Sequence, residues 1–128
     1  MIVAGVGCRK GVAAAEVAAV ITTALARAGL TTDALALIAT SAAKGEEAGI
    51  AAAASALGVP LVLVSQNDLE AAGDRTATKS ERVAALTGVP SLAEAAALAA
   101  GGAAARLIAP RIAVGPATCA LARAGDAP

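Results

Sequence analysis

The sequence predicts an α/β fold, a three-layer α/β/α arrangement around a mixed, mainly parallel five-stranded sheet. Three observations carry this. Short apolar runs alternate with stretches of helical periodicity, the signature of strand-helix repeats. Leu61 to Val64 (Leu-Val-Leu-Val) has no polar alternation, as in a parallel strand covered on both faces. Two further short strands close the chain after Gly101-Gly102, so the expected sheet has four mainly parallel strands and one antiparallel edge.

In chain order, Ile2 to Val6 is an apolar run rich in β-branched residues and reads as a buried strand. Gly5 and Gly7 relieve side-chain sterics, and Cys8-Arg9-Lys10-Gly11 leads into a helix over Val12 to Ala28. Val17, Val20, Ile21, Ala24, Leu25 and Ala28 fall on one stripe of that helix, and Gly29 is placed to end it. Leu35 to Ala39 is the second strand. A second, Ala-rich helix follows from about Glu46 to Leu57, and Gly58 with Pro60 stops it. Leu61 to Val64 is the third strand. Ser65 caps a short helix over Gln66 to Ala71, with Asp68 in its first turn.

Gly73 to Ser80 is the most polar stretch and reads as an exposed loop, a candidate mobile lid. Ser80 is placed to cap a helix through Leu86. Ser91-Leu-Ala-Glu94 fits a capping box and opens an Ala-rich helix ending near Gly101-Gly102. Arg106 to Ala109 is the fourth strand, Pro110 to Pro116 a turn region, and Ala117 to Ala122 the fifth strand.

Composition narrows the chemistry. At 128 residues the expectation is one domain, residues 1–128, large enough for a real core. A 58% hydrophobic, 16% charged chain is not a disordered one. Zero net charge and the absence of Phe, Tyr and Trp argue against nucleic-acid binding, which uses basic surfaces and aromatic platforms. Without His there is no imidazole base and no His metal ligand. Cys8 and Cys119 make neither a zinc framework nor a disulfide scaffold. No metal and no cofactor are expected. Ala48 to Asn67 is uncharged but is broken by Gly58-Val59-Pro60, so it reads as helix then strand rather than a membrane span. No signal peptide is evident, and the expected location is cytoplasmic.

In open α/β sheets ligands bind beyond the carboxyl ends of the parallel strands. Cys8, Arg9 and Lys10 follow strand one; Ser41, Lys44 and Glu47 follow strand two; Ser65 and Gln66 follow strand three; Arg111 follows strand four. Arg9, Lys10, Lys44 and Arg111 would thus gather on one rim. Such a rim favours a small or medium ligand carrying several carboxylates or phosphates. Backbone N–H groups at the start of the first helix would add to it.

The bland readings are equally concrete. Gly5-x-Gly7-x-x-x-Gly11 departs from the dinucleotide fingerprint, since Lys10 stands where the third glycine belongs, and it is no P-loop. It is also what a tight strand-helix connection looks like. Cys8 beside two cations at a helix start would have a lowered pKa, or it is a small core residue. Lys44 and Glu47 would serve equally as a surface pair. Glu94 reads as a capping residue rather than a general acid.

The motif Gly5-Val-Gly-Cys-Arg-Lys-Gly11 resembles the opening of the cobalamin biosynthesis protein CobE and CbiG C-terminal domain family. Ile38-Ala-Thr40 with Lys44-x-x-Glu47-x-Gly49-Ile50, Ser65-x-x-Asp68-Leu69, Thr87 to Leu98, and Thr118-Cys-Ala-Leu-Ala-Arg123 are similar to its later blocks, in order. Where the family often has two basic residues after a proline, this chain has Pro110 followed by Arg111-Ile112. The larger N-terminal portion of CbiG-type proteins has no counterpart, so the stand-alone CobE form is expected.

The resemblance implies a role in building the corrin ring of vitamin B12. The ligand implied is a precorrin or corrin intermediate, whose acetate and propionate carboxylates suit the cationic rim. Two classes of function stand open. One is a binding protein or carrier using Gly5, Gly7, Cys8, Arg9, Lys10, Ser41, Lys44, Ser65 and Arg111. The other is a hydrolase of the CbiG type, opening the δ-lactone of a (cobalt-)precorrin-5A with loss of acetaldehyde, with Glu47 as base and Cys8 as nucleophile. A docking module for other cobalamin-pathway enzymes is a third. No nucleic-acid or membrane partner is expected.

Overall fold

The computed structural model describes residues 1–79, 81, 84–85 and 91–124. Its five strands are β1 (Ile2–Cys8), β2 (Leu35–Ser41), β3 (Leu61–Val64), β4 (Arg106–Val114) and β5 (Ala117–Arg123). The four α-helices that lie wholly among the described residues are α1 (Ala14–Arg27), α2 (Ala48–Leu57), α3 (Gln66–Ala72) and α4 (Leu92–Gly101). The sheet order is β3-β2-β1-β5-β4, with β1, β2 and β3 parallel and β5 antiparallel to both β1 and β4. The sheet is therefore the mixed, mainly parallel one expected, inside an α/β fold.

Side-chain alternation along β1 divides the core. Ile2, Ala4 and Val6 join the α1 and α2 side, where Val17, Val20, Ile21 and Leu25 meet Ile50 and Ala53. Val3 joins the α3 and α4 side, with Leu69, Ala95, Ala96 and Leu98. The α1 stripe read from the sequence is the buried one, except that Ala28 is exposed. Gly58 ends α2 with φ 71°, a left-handed conformation that glycine adopts without steric cost.

Gly5 has a different use from the one its loop-like motif implied. It lies inside β1, and a Cβ there would run into the Ala93 carbonyl and approach Ala97 Cβ to 2.9 Å. Helix α4, buried from Ala93 to Leu98, sits directly on this glycine. A small residue in the strand and alanines in the helix let the two backbones approach closely.

Four features differ from the sequence reading. β3 meets the core on both faces, through Leu61 on one side and Val62 and Val64 on the other, but it is an edge strand and its cover is incomplete, with Leu63 49% exposed. The antiparallel strand β5 lies inside the sheet, and β4 is the other edge. β4 continues through the expected turn at 110–116 because two bulges absorb extra residues. Ala109 faces Leu121 and Ile112 faces Cys119, so Pro110 and Arg111 together oppose Ala120. Proline is tolerated there because an edge strand at a bulge does not need its missing N–H.

The fourth difference is the polar stretch from Gly73, which is pinned rather than lid-like. The Arg75 guanidinium donates to the carbonyls of Gly102, Ala103 and Ala105 at 3.2–3.4 Å, and Thr76 is buried. The helix expected from Ser80 to Leu86 falls largely outside the described residues; Glu81, Ala84 and Ala85 within it are helical. No helix among the described residues is long and apolar enough to cross a membrane.

Candidate functional site

The carboxyl ends of β1 and β2, the starts of α3 and α4 and the β4–β5 hairpin surround a cleft of about 960 Å³. Gly7, Cys8 and Arg9 come from β1 and its exit. Ser41 ends β2, and Ala43 and Lys44 lie in the short 3-10 turn after it. Gln66 comes from α3 and Leu92 from α4. Arg111, Ala113, Gly115, Pro116 and Thr118 come from the hairpin. The cleft thus has three cations on its wall, Arg9, Lys44 and Arg111. No carboxylate is among the described residues that line it.

Seven of the residues singled out in the sequence meet here: Gly7, Cys8, Arg9, Ser41, Lys44, Gln66 and Arg111. Ser41 also accepts the Ala43 N–H at 3.2 Å, which shapes the turn carrying Lys44. Four others stand apart from the lining. Gly5 lies under α4. Lys10 is exposed. Ser65 caps α3 by accepting the Asp68 N–H at 3.2 Å. Glu47 accepts the Gly11 N–H at 3.0 Å and forms no salt bridge with Lys44.

The amides expected to cradle an anion are partly engaged inside the protein. Gly11 N–H goes to Glu47, Ala13 N–H donates to Glu16 Oε1 at 3.0 Å, and Arg9 N–H to the Pro116 carbonyl at 2.9 Å. Two of the protein's own carboxylates hold the loop that precedes α1, so the positive character of the cleft comes from side chains.

Cys8 also departs from expectation. Burial pushes its thiol pKa up, the Glu47 carboxylate adds to the rise, and Lys44 opposes it without winning. The protonated thiol is a poor nucleophile. Cys119 is wholly buried, and burial raises its thiol to about 12. Both cysteines are free. Among the described residues no cluster of three or more His, Cys, Asp or Glu could hold a metal ion.

Glu94 is half of a cap and something more. Ser91 Oγ accepts the Glu94 N–H at 3.4 Å, as the capping motif predicts. The Glu94 carboxylate does not turn back to Ser91. It accepts the N–H of Ala77 at 2.7 Å, of Thr78 at 2.8 Å and of Arg111 at 2.8 Å, and the Thr78 hydroxyl at 2.7 Å. Burial alone would raise its pKa, but these bonds together hold it below the usual carboxylate range.

Sequence reasoning missed Leu92, Thr118 and the hairpin wall. Thr118 pairs with Gly7 across the β1–β5 ladder, so it shares the Gly7 face. An assignment of the β1–β5 register would have found it. That register depends on β5 lying beside β1 inside the sheet, where the sequence reading puts the antiparallel strand at the edge.

Comparison with known proteins agrees with this architecture. Residues 2–122 match the family described as Cobalamin synthesis G C-terminus. Protein CobE of Sinorhizobium sp is 42% identical over 121 residues, covering 94% of this chain and 79% of that protein. The crystal structure of CobE, a protein from the cobalamin (vitamin B12) biosynthetic pathway, superposes with a TM-score of 0.89. The identity is 31%, and the match covers 96% of this chain and 89% of that one. Cobalamin biosynthesis protein chiG from Agrobacterium tumefaciens str. C58 gives a TM-score of 0.75 at 45% identity, covering 98% and 100% of the two chains. A cobalamin biosynthesis protein G homolog from Sulfolobus solfataricus gives 0.72 at 27% identity; the match covers 97% of this chain and 37% of that longer one. The chain belongs to the Cobalamin synthesis G C-terminus family, and it is a protein of the cobalamin biosynthesis pathway.

Proposed function

We propose that the protein binds a carboxylate-rich precorrin or corrin intermediate in the cleft at the carboxyl rim of its sheet. The observation that carries this is the cleft's charge: Arg9, Lys44 and Arg111 line it and no described carboxylate does, in a chain whose net charge is zero. At about 960 Å³ the cleft stands at the large end of the range for small-molecule sites. Leu92, Ala43, Ala113 and Pro116 supply aliphatic surface for a macrocycle edge, while the cations and the hydroxyls of Ser41 and Thr118 meet its carboxylates. Cytoplasmic residence is part of the same proposal.

Binding is favoured over lactone opening by two features. The proposed nucleophile Cys8 has its pKa raised, and the proposed base Glu47 does not line the cleft and is bonded to Gly11. The test is to mix purified protein with pathway intermediates and follow visible absorbance through a desalting column. Co-elution without spectral change, lost in Arg9→Ala, supports binding. Turnover that survives in the parent and vanishes in Cys8→Ala would replace this reading with the hydrolytic one.

A further inference from the structure

Glu94 has no exposed surface, and its side-chain hydrogen bonds reach two separate segments. Oε1 takes the N–H groups of Ala77 and Thr78. Oε2 takes the Thr78 hydroxyl and the Arg111 N–H. The last of these falls at an informative place. Arg111 sits in the β4 bulge, out of register with β5, directly after a proline that has no N–H to give. At this point the strand is weakly held by its own ladder, and it is also where a cleft cation departs.

We infer that Glu94 is a positioning residue of the cleft: its carboxylate fixes the Arg111 backbone at the bulge and so aims the guanidinium at the ligand. This rests on the binding reading above and deepens it. A buried carboxylate with four donors would stabilise the fold anywhere. What singles this one out is that one donor is the main chain of a cleft cation, at an edge-strand bulge that a neighbouring helix must hold. Glu94 itself does not line the cleft, so it acts only through Arg111.

The substitution Glu94→Gln separates these roles. Its remaining amide oxygen can serve Ala77 and Thr78, but its NH2 group would face the Arg111 N–H and cannot accept from it. The probe is cobyrinic acid, a corrin polycarboxylate, titrated into the parent, Glu94→Gln, Arg111→Ala and the double variant. Circular dichroism checks that each is folded.

The expected result is a loss of about fivefold to tenfold in Glu94→Gln. The double variant should bind no more weakly than Arg111→Ala alone. Parent-like binding by Glu94→Gln, or losses that multiply in the double variant, would overturn the inference while leaving the cleft assignment standing. If Arg111→Ala itself binds as the parent does, both the cleft assignment and this inference fall. Should Glu94→Gln not fold, Glu94→Asp, which keeps the charge but withdraws it by one methylene, goes through the same cycle with the same deciding outcomes.

Discussion

Replacing Gly5 by alanine should be the most damaging glycine-to-alanine change among the described residues. The new Cβ would overlap the Ala93 carbonyl oxygen and lie 2.7 Å from Ala97 N and 2.9 Å from Ala97 Cβ. These are main-chain atoms or the first side-chain atom of α4, so no rotamer change relieves them. β1 cannot retreat either, because it is hydrogen-bonded to β2 on one side and β5 on the other. The helix must lift, opening the packing around Ala96 and Leu98.

Overpacking of a rigid site costs about 3 kcal/mol at the upper end of the usual range. Removing glycine from a strand returns about 0.7 kcal/mol of chain entropy, which leaves a net loss of roughly 2 kcal/mol. With an unfolding entropy of ~2.1 cal/mol/K per residue, a chain of 128 residues loses about 4 °C in Tm per kcal/mol, so the expected drop is about 8 °C. Gly7→Ala is the internal comparison. Its Cβ would come within 2.7 Å of Thr118 Oγ1, the tip of a rotatable side chain, so the drop should be a small fraction of the first. The melts are followed by far-ultraviolet circular dichroism, since the chain has no Trp or Tyr for fluorescence. A Gly5→Ala protein that melts with the parent would mean that α4 is not seated on β1.

Two other outcomes concern the titratable groups. Glu94 has a depressed pKa when folded, so its contribution to stability is fully present above the unfolded value of about 4.3 and is lost as pH falls through the lower folded value. Urea unfolding of the parent across this acidic window should therefore show a steeper decline than Glu94→Gln, and parallel declines would refute the linkage. Both thiols should be protonated at neutral pH, because burial raises Cys8 and takes Cys119 to about 12. A maleimide or iodoacetamide time course should show Cys8 reacting more slowly than a free thiol, and Cys119 only as the protein unfolds. A Cys8 that reacts faster than a free thiol would revive the nucleophile reading.

The fold was legible where local signals and tertiary demands coincide. Val17, Val20, Ile21 and Leu25 mark one face of α1 at helical spacing, and Gly58 with Pro60 stops α2 within one residue of the expected place. β3 has the expected bounds and meets the core on both faces, as its lack of alternation implies, but that pattern does not reveal its edge position. An edge strand with a half-exposed Leu63 looks the same in one dimension.

The misreading at 110–116 has the same origin. A bulge that houses a proline is indistinguishable from a turn until the partner strand is known. At the rim, the rule that ligands gather beyond strand ends brought out Arg9, Ser41 and Lys44, since it needs only strand bounds; Arg111 entered through an expected strand end at Ala109, whereas it lies in a bulge inside β4. The rule could not show that Glu47 folds back onto Gly11, or that Glu94 reaches past its own helix start to Arg111. Those are long-range side-chain geometries with no periodic trace in the sequence.

The central claim is that Arg9, Lys44 and Arg111 form one polycarboxylate site. Its most direct test is a titration of the parent with cobyrinic acid at low and at high salt, beside a variant in which all three cations are replaced by glutamine. The account predicts saturable binding that weakens as the Debye length falls from about 10 Å toward 3 Å. It further predicts that the triple variant binds far more weakly and loses most of that salt dependence. Binding that is indifferent to salt and unchanged in the triple variant would contradict it.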